Sequence, residues 1–278
     1  MTNFVSSEWL AQHILSPDII VIDCRFSLSD KAAGQKWYVN DHITGAHYAD
    51  LETDFSGTVS KHGGRHPLPD VNILSQFFGS CGISSEKIVV AYDDSQYIFA
   101  SRLWWLLRYL GHDRVVILKD GYTHYKEKGL PVSTKMPEKQ TSVFKASIKP
   151  DMIVNMLEVR AVSEKRLKDA VIIDSREEQR YAGLHEPIDH QAGHIPGSIN
   201  LPFMENFEDG KWKTNDGLNE RFSSLENNGE KIVYCGSGIT ACVNILALEE
   251  IGMKQVKLYP GSWSDWISYS SNQIGKSN

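Results

Sequence analysis

The sequence has few cysteines, no long apolar run and no excess of basic charge, and each shortage excludes a class of protein. Its four cysteines, Cys24, Cys81, Cys235 and Cys242 in 278 residues, show neither the paired spacing of a zinc site nor the density of a disulfide framework. They suit a reducing compartment, with one reactive thiol among structural ones. No apolar stretch approaches the roughly 18 residues of a membrane span, and no apolar segment follows a basic start. A cytoplasmic protein with no membrane association is expected. With 29 Lys and Arg against 35 Asp and Glu, the net charge of -6 leaves no basic face for nucleic acid. The length allows one large domain or two of ordinary size, each able to bury its own core.

What is present is an alternation of short β-branched runs with helical patterns. Val5 to Leu15 places apolar residues at helical spacing behind a serine suited to an N-cap, and Ile19 to Arg25 reads as a buried parallel strand ending in an aspartate. Val71–Gly82 and Phe99–Gly111 read as helices, Lys87–Tyr92 and Val115–Leu118 as strands. The glycine-rich stretch from Ser56 to Pro69 is expected to be a long surface loop.

These pieces return later in the chain. Val171-Ile-Ile-Asp-Ser-Arg176 repeats Val21-Ile-Asp-Cys-Arg25, and His194-Ile-Pro-Gly-Ser repeats His42-Ile-Thr-Gly-Ala. Pro260-Gly-Ser-Trp263 answers Asp120-Gly-Tyr122. An offset of about 140 to 150 residues is the size of one domain, so two homologous α/β domains are expected, each a parallel sheet flanked by helices. Ligands then sit outside the carboxyl ends of the strands.

The segment Lys231–Asn244 carries the chemistry. Ile232, Val233 and Tyr234 suit a buried strand, Gly236 and Gly238 allow a tight turn, and a helical pattern follows from Ala241. Cys235 falls where strand becomes helix, and there inward backbone N–H groups and the positive end of the helix stabilise a thiolate or persulfide. Ser237 and Thr240 are placed to donate further hydrogen bonds to such an anion. A buried structural cysteine in an ordinary strand–turn–helix is the alternative. Aligning Val89-Val-Ala-Tyr-Asp93 with Lys231-Ile-Val-Tyr-Cys235 puts Asp93 where the second half has its cysteine, so the first half lacks the nucleophile.

Cys235-Gly-Ser-Gly-Ile-Thr-Ala241 resembles the active-site loop of the rhodanese superfamily, in the Cys-Gly-Ser-Gly form of 3-mercaptopyruvate sulfurtransferases rather than the basic form of thiosulfate rhodaneses. The likeness covers almost the whole chain. It implies two tandem rhodanese-like domains: a non-catalytic one over 1–130, a linker over 131–148 and a catalytic one over 149–278. It also implies transfer of a sulfane sulfur from 3-mercaptopyruvate or thiosulfate, through a Cys235 persulfide, to cyanide or a thiol acceptor such as thioredoxin. This chemistry calls for no cofactor and no metal.

The resemblance extends to individual residues. Arg180 takes the place of the family's anchor for the anionic end of the donor, and Gly236, Gly238, Ile239 and Thr240 belong to the loop around it. The acid–histidine–serine relay thought to serve mercaptopyruvate enzymes falls by position on Glu52, His66 and Ser237, with a glutamate where an aspartate is usual. His62 is the rival histidine. Asp174 and Arg176 are expected to brace the loop, and His194 belongs to the turn, since His42 repeats it in the inactive half. Ser262 and Trp263, with Phe26, Tyr97 and Ile98, either line the pocket or pack the core.

One departure concerns the donor. The mercaptopyruvate enzymes carry a second arginine shortly after a Glu-Pro, and Glu186-Pro-Ile-Asp-His190 has none. Two readings of other classes are also open. A cysteine phosphatase needs an arginine closing the loop, where this chain has Ala241; a partner-fed persulfide carrier would keep Cys235 but would not need Arg180.

Overall fold

A computed structural model describes residues 2–138, 141–166, 169–225 and 229–277. The chain divides into two compact units, Met1–Gly57 with Leu68–Lys149, and Thr58–Pro67 with Pro150–Asn278.

In the first unit the β-branched runs form a five-stranded parallel sheet in the order Phe4–Val5, Val115–Leu118, Ile88–Tyr92, Ile19–Asp23, His47–Tyr48. Its central strands are buried on both faces, which is why they read as continuous apolar runs rather than alternating ones. Helix Ser7–His13 begins at Ser6, whose hydroxyl accepts from the Trp9 amide at 3.1 Å, and helix Val71–Ser80 begins at Asp70, whose carboxylate accepts from Asn72 and Ile73. Helix Ile98–Tyr109 is buried from Phe99 to Leu107 and holds Trp104 and Trp105 in the core.

The second unit repeats the plan with Val256–Leu258, Glu230–Tyr234, Ala170–Asp174 and Ile199–Asn200, again all parallel. Ile153 adds a parallel bridge to Leu258 at the edge. Helix Met156–Ser163 opens on a full capping box between Asn155 and Glu158. Helix Ala241–Glu250 is buried from Ala241 through Leu248, as a helix apolar all round must be.

The internal repeat is exact enough to reuse its braces. Arg25 donates to the Asp23 carboxylate at 2.6 Å and to the Asp41 carbonyl at 2.7 Å; Arg176 donates to Asp174 at 2.6 Å and to the Gly193 carbonyl at 2.6 Å. Each guanidinium also lies over an aromatic ring, Tyr122 at 3.8 Å and Trp263 at 4.7 Å. His42 and His194 each bond a backbone carbonyl and stack on a tyrosine, Tyr38 and Tyr181. The two histidines are structural, as their repetition implies.

Two stretches differ from their sequence reading. The glycine-rich loop is not free surface: Thr58–Pro67 belongs to the second unit, because its polar groups find partners on Gly261–Ser268. The Gly63 amide donates to Asp265 at 2.7 Å, the Arg65 amide to the Ser264 hydroxyl at 3.1 Å, and His62 bonds Ser268 at 2.7 Å. In the polar stretch expected as a linker, the amides of Ser142 and Ser147 donate to the carbonyls of Gly79 and Leu110, so that part runs along the first unit. Lys139 and Gln140 of that stretch lie outside the described residues. Among the described residues no helix is long and apolar enough to cross a membrane.

Candidate active site

Strand Glu230–Tyr234 lies in the middle of its sheet, paired on one side with Ala170–Asp174 and on the other with Val256–Leu258. Its carboxyl end delivers Cys235 into a turn that enters helix Ala241–Glu250 at Thr240. The Gly238 amide points back at the cysteine, 3.2 Å from Sγ. Gly238 is required: its φ is +80°, and a Cβ there would lie 2.3 Å from the Pro260 carbonyl oxygen.

The turn is fixed from below. The Cys235 amide donates to the Ser262 hydroxyl at 3.1 Å, and the amides of Trp263 and Ser264 donate to the carbonyls of Cys235 and Gly236 at 3.0 Å. Ser262 holds a φ of +55°, a strained conformation for a serine, and Trp263 is fully buried with its indole N–H on the Gln191 carbonyl. Both support the loop. Phe26 and Tyr97 are buried in the first unit, where Phe26 packs on Phe99.

His66 reaches this turn and His62 does not. His66 Nδ1 lies 2.7 Å from Ser237 Oγ, with both residues buried, while the His62 ring stacks on Tyr269. Ile239 is buried, and Thr240 takes helical backbone as the N-cap residue. Glu52 belongs to the first unit, where its carboxylate meets Lys31 Nζ at 3.0 Å.

Arg180 stands on the short helix Glu178–Ala182, and its guanidinium grips Glu186 through Nε at 3.0 Å and Nη2 at 2.8 Å. Nη2 also donates to Asp189 at 3.2 Å. A Cβ built on Gly236 would lie 3.5 Å from Arg180 Nη2, so the guanidinium covers the residue that follows the cysteine. Arg65, which the sequence reading left aside, is closer still, with Nη2 3.0 Å from the same point, and its Nη1 donates to Asp189. The signal for Arg65 was only its adjacency to His66. Burial pushes the Asp189 carboxyl above its usual range, partly offset by Arg65 and Arg180. Burial acts the same way on Glu186, but there hydrogen bonds from Arg180 and from the amides of Asp189 and Ile188 prevail and hold it below the usual value.

The other thiols are set apart. Burial pushes Cys24 well above its ordinary value and Cys81 up to about 12, and Cys242 packs inside its helix against the Gly238 carbonyl. In the first unit the strand end equivalent to Cys235 holds Asp93, whose carboxylate accepts from the amides of Ser95, Tyr97, Phe99 and Ala100 at 2.9 to 3.1 Å. The anion cradle there is filled by the chain itself.

The second unit thus ends a parallel strand on a buried cysteine, with an amide on its sulfur and two guanidiniums over the next residue. Residues 6–128 and 159–269 each match the rhodanese-like domain, and the chain belongs to that family. It is 38% identical over 270 residues to a probable 3-mercaptopyruvate sulfurtransferase of Pseudomonas aeruginosa, covering 95% of this chain and 94% of that one. It is 33% identical over 277 residues to the thiosulfate sulfurtransferase of Rattus norvegicus, covering 95% and 91%. The crystal structure of the 3-mercaptopyruvate sulfotransferase SseA from Escherichia coli superposes with a TM-score of 0.83 at 33% identity, over 95% of this chain and all of that one.

Proposed function

We propose that this rhodanese-family sulfurtransferase takes its sulfur from 3-mercaptopyruvate, with Cys235 as nucleophile and the Ser237–His66 pair as the proton path. The observation that carries the reading is the 2.7 Å contact of His66 with Ser237, two residues from the cysteine.

The Cys235 thiolate attacks the donor's sulfur, an S–S bond forms, and the carbon–sulfur bond breaks with its electron pair passing to carbon. That carbon must take up a proton to leave as pyruvate. The serine hydroxyl, polarised by His66, supplies it and recovers the proton lost by the donor thiol. The amide of Gly238 and the rest of the turn, including Gly236, Ile239 and Thr240, stabilise the persulfide anion between steps by preorganised dipoles. Arg180 anchors the donor carboxylate. In the second step a thiophile, cyanide in the test tube or a small thiol protein such as thioredoxin, attacks the outer sulfur and releases the Cys235 thiolate. With thiosulfate the same first step expels sulfite.

The test is steady-state sulfur transfer to cyanide, with kcat/KM measured for each donor on the wild type and on Cys235→Ser. The wild type is expected to prefer 3-mercaptopyruvate and the variant to transfer from neither donor. Retention of turnover by Cys235→Ser sinks the mechanism; a preference for thiosulfate sinks the choice of donor alone.

A further inference from the structure

The chain lacks the second arginine expected after Glu186-Pro, yet two guanidiniums converge on Gly236. The second comes from Arg65, on the segment Thr58–Pro67. That segment is held firmly: besides the bonds of Gly63 and Arg65 to Asp265 and Ser264, Gly64 has a φ of +81° and passes so close to Gly261 that a Cβ would sit 2.4 Å from its carbonyl oxygen. The Arg65 backbone therefore has one place to be. Its side chain is a third exposed, open to an incoming ligand, whereas the Asp189 carboxylate that joins it to Arg180 is 4% exposed.

We infer that Arg65 is the second donor-binding arginine of this site and that Asp189 positions it and sets the charge of donor the site accepts. Around the turn stand three guanidiniums, Arg65, Arg176 and Arg180, and three carboxylates, Asp174, Glu186 and Asp189. Arg176 and Asp174 are spent on each other as a buried brace, and Glu186 saturates the inner edge of Arg180. That leaves Arg65 and Arg180 with Glu186 and Asp189, four charges that cancel, and of the four side chains Arg65 is the most exposed, so positive charge is offered to the donor through that one guanidinium. A donor with a single carboxylate can pair with it. A dianion such as thiosulfate brings a second negative charge against Asp189, and at low local dielectric the repulsion is not screened.

This assignment rests on the anionic-donor reading above, so its test includes a measurement that needs no turnover. Cys235 is alkylated with iodoacetate and with iodoacetamide, site by site by mass spectrometry; both reagents form the same S–C bond and expel iodide, but only iodoacetate carries a carboxylate. The ratio of the two rates reports the positive charge at the sulfur. Arg65→Met is expected to lower that ratio by about 5-fold or more, and Asp189→Asn to raise it by a similar factor. In turnover, Arg65→Met raises KM for 3-mercaptopyruvate about 10-fold with kcat little changed, and Asp189→Asn shifts the kcat/KM ratio toward thiosulfate by about 10-fold. A loss of folding alone would move both reagents and both donors together. An alkylation ratio unchanged in both variants overturns the inference even if the wild type transfers sulfur. A wild type silent with both donors, but with the ratio moving in these opposite directions, overturns the reading of function and leaves the charge assignment standing.

Discussion

Asp93 and Cys235 stand at equivalent strand ends, each directly after a tyrosine, Tyr92 or Tyr234, that pairs in register with the last aspartate of the neighbouring strand, Asp23 or Asp174. Each presents an anion-forming atom to backbone amides: one to Sγ from Gly238, four to the Asp93 carboxylate. One fold thus sets backbone amides at the same strand end twice, once on a sulfur and once on a carboxylate.

Replacing Asp93 by Asn leaves one oxygen for four amides and turns an NH2 group toward two of them. Asp93→Asn is expected to destabilise the first unit by about 2 kcal/mol or more, because buried donors lose their acceptor. Urea unfolding followed by fluorescence checks this. An unchanged midpoint would mean that the amides do not depend on the carboxylate.

The Ser237–His66 pair predicts a donor-dependent defect. Pyruvate leaves through carbon and needs a proton, whereas sulfite leaves as a stable anion and needs none. Ser237→Ala and His66→Gln should therefore lower kcat for 3-mercaptopyruvate by about 100-fold while changing thiosulfate turnover only a few-fold. Equal losses for both donors would assign the pair to holding the loop.

Gly238→Ala and Gly236→Ala should fail in different ways. The first forces a Cβ 2.3 Å from the Pro260 backbone at a φ of +80°, so the turn must deform, with an expected cost of about 2 kcal/mol and a large fall in kcat. The second meets only the ends of Arg65 and Arg180, which can swing aside. Its stability should be near that of the wild type and its KM higher. Thermal melts and donor titrations separate the two.

Glu186 links stability to pH. Its folded value lies below the ordinary one near 4.5, so it contributes stability that is fully present above that value and is lost as pH falls through the lower folded value. The difference in unfolding free energy between wild type and Glu186→Gln should be largest at pH 7 and shrink below pH 4.5. Denaturant titrations at both pH values test the sign; a gap that widens in acid would contradict it.

Much of the molecule is written locally. The runs Ile19–Asp23, Ile88–Tyr92 and Glu230–Tyr234 became strands within two residues of where their composition places them, because buried parallel strands need nothing but apolar β-branched residues of the right length. The Cys-Gly-Ser-Gly turn, the repeat that sets Asp93 opposite Cys235, and the family all follow from adjacent residues or from a constant offset. Periodicity reports which face a side chain takes. It does not report what that face meets.

The arginines around Gly236, by contrast, were brought there by tertiary structure. His66 and Ser237 are 171 residues apart, Arg65 and Asp189 are 124 apart, and no local pattern couples them. Thr58–Pro67 read as loose surface because it is polar and rich in glycine; those same properties let its amides bond Asp265 and Ser264 and let Gly64 pass against the Gly261 backbone. The sequence by itself determined the sheet, the repeat and the place of Cys235 at a strand end. The packing of that one segment determined which histidine meets Ser237 and which arginine stands where the expected one is missing, since both depend on through-space distances that close only when the second unit is folded.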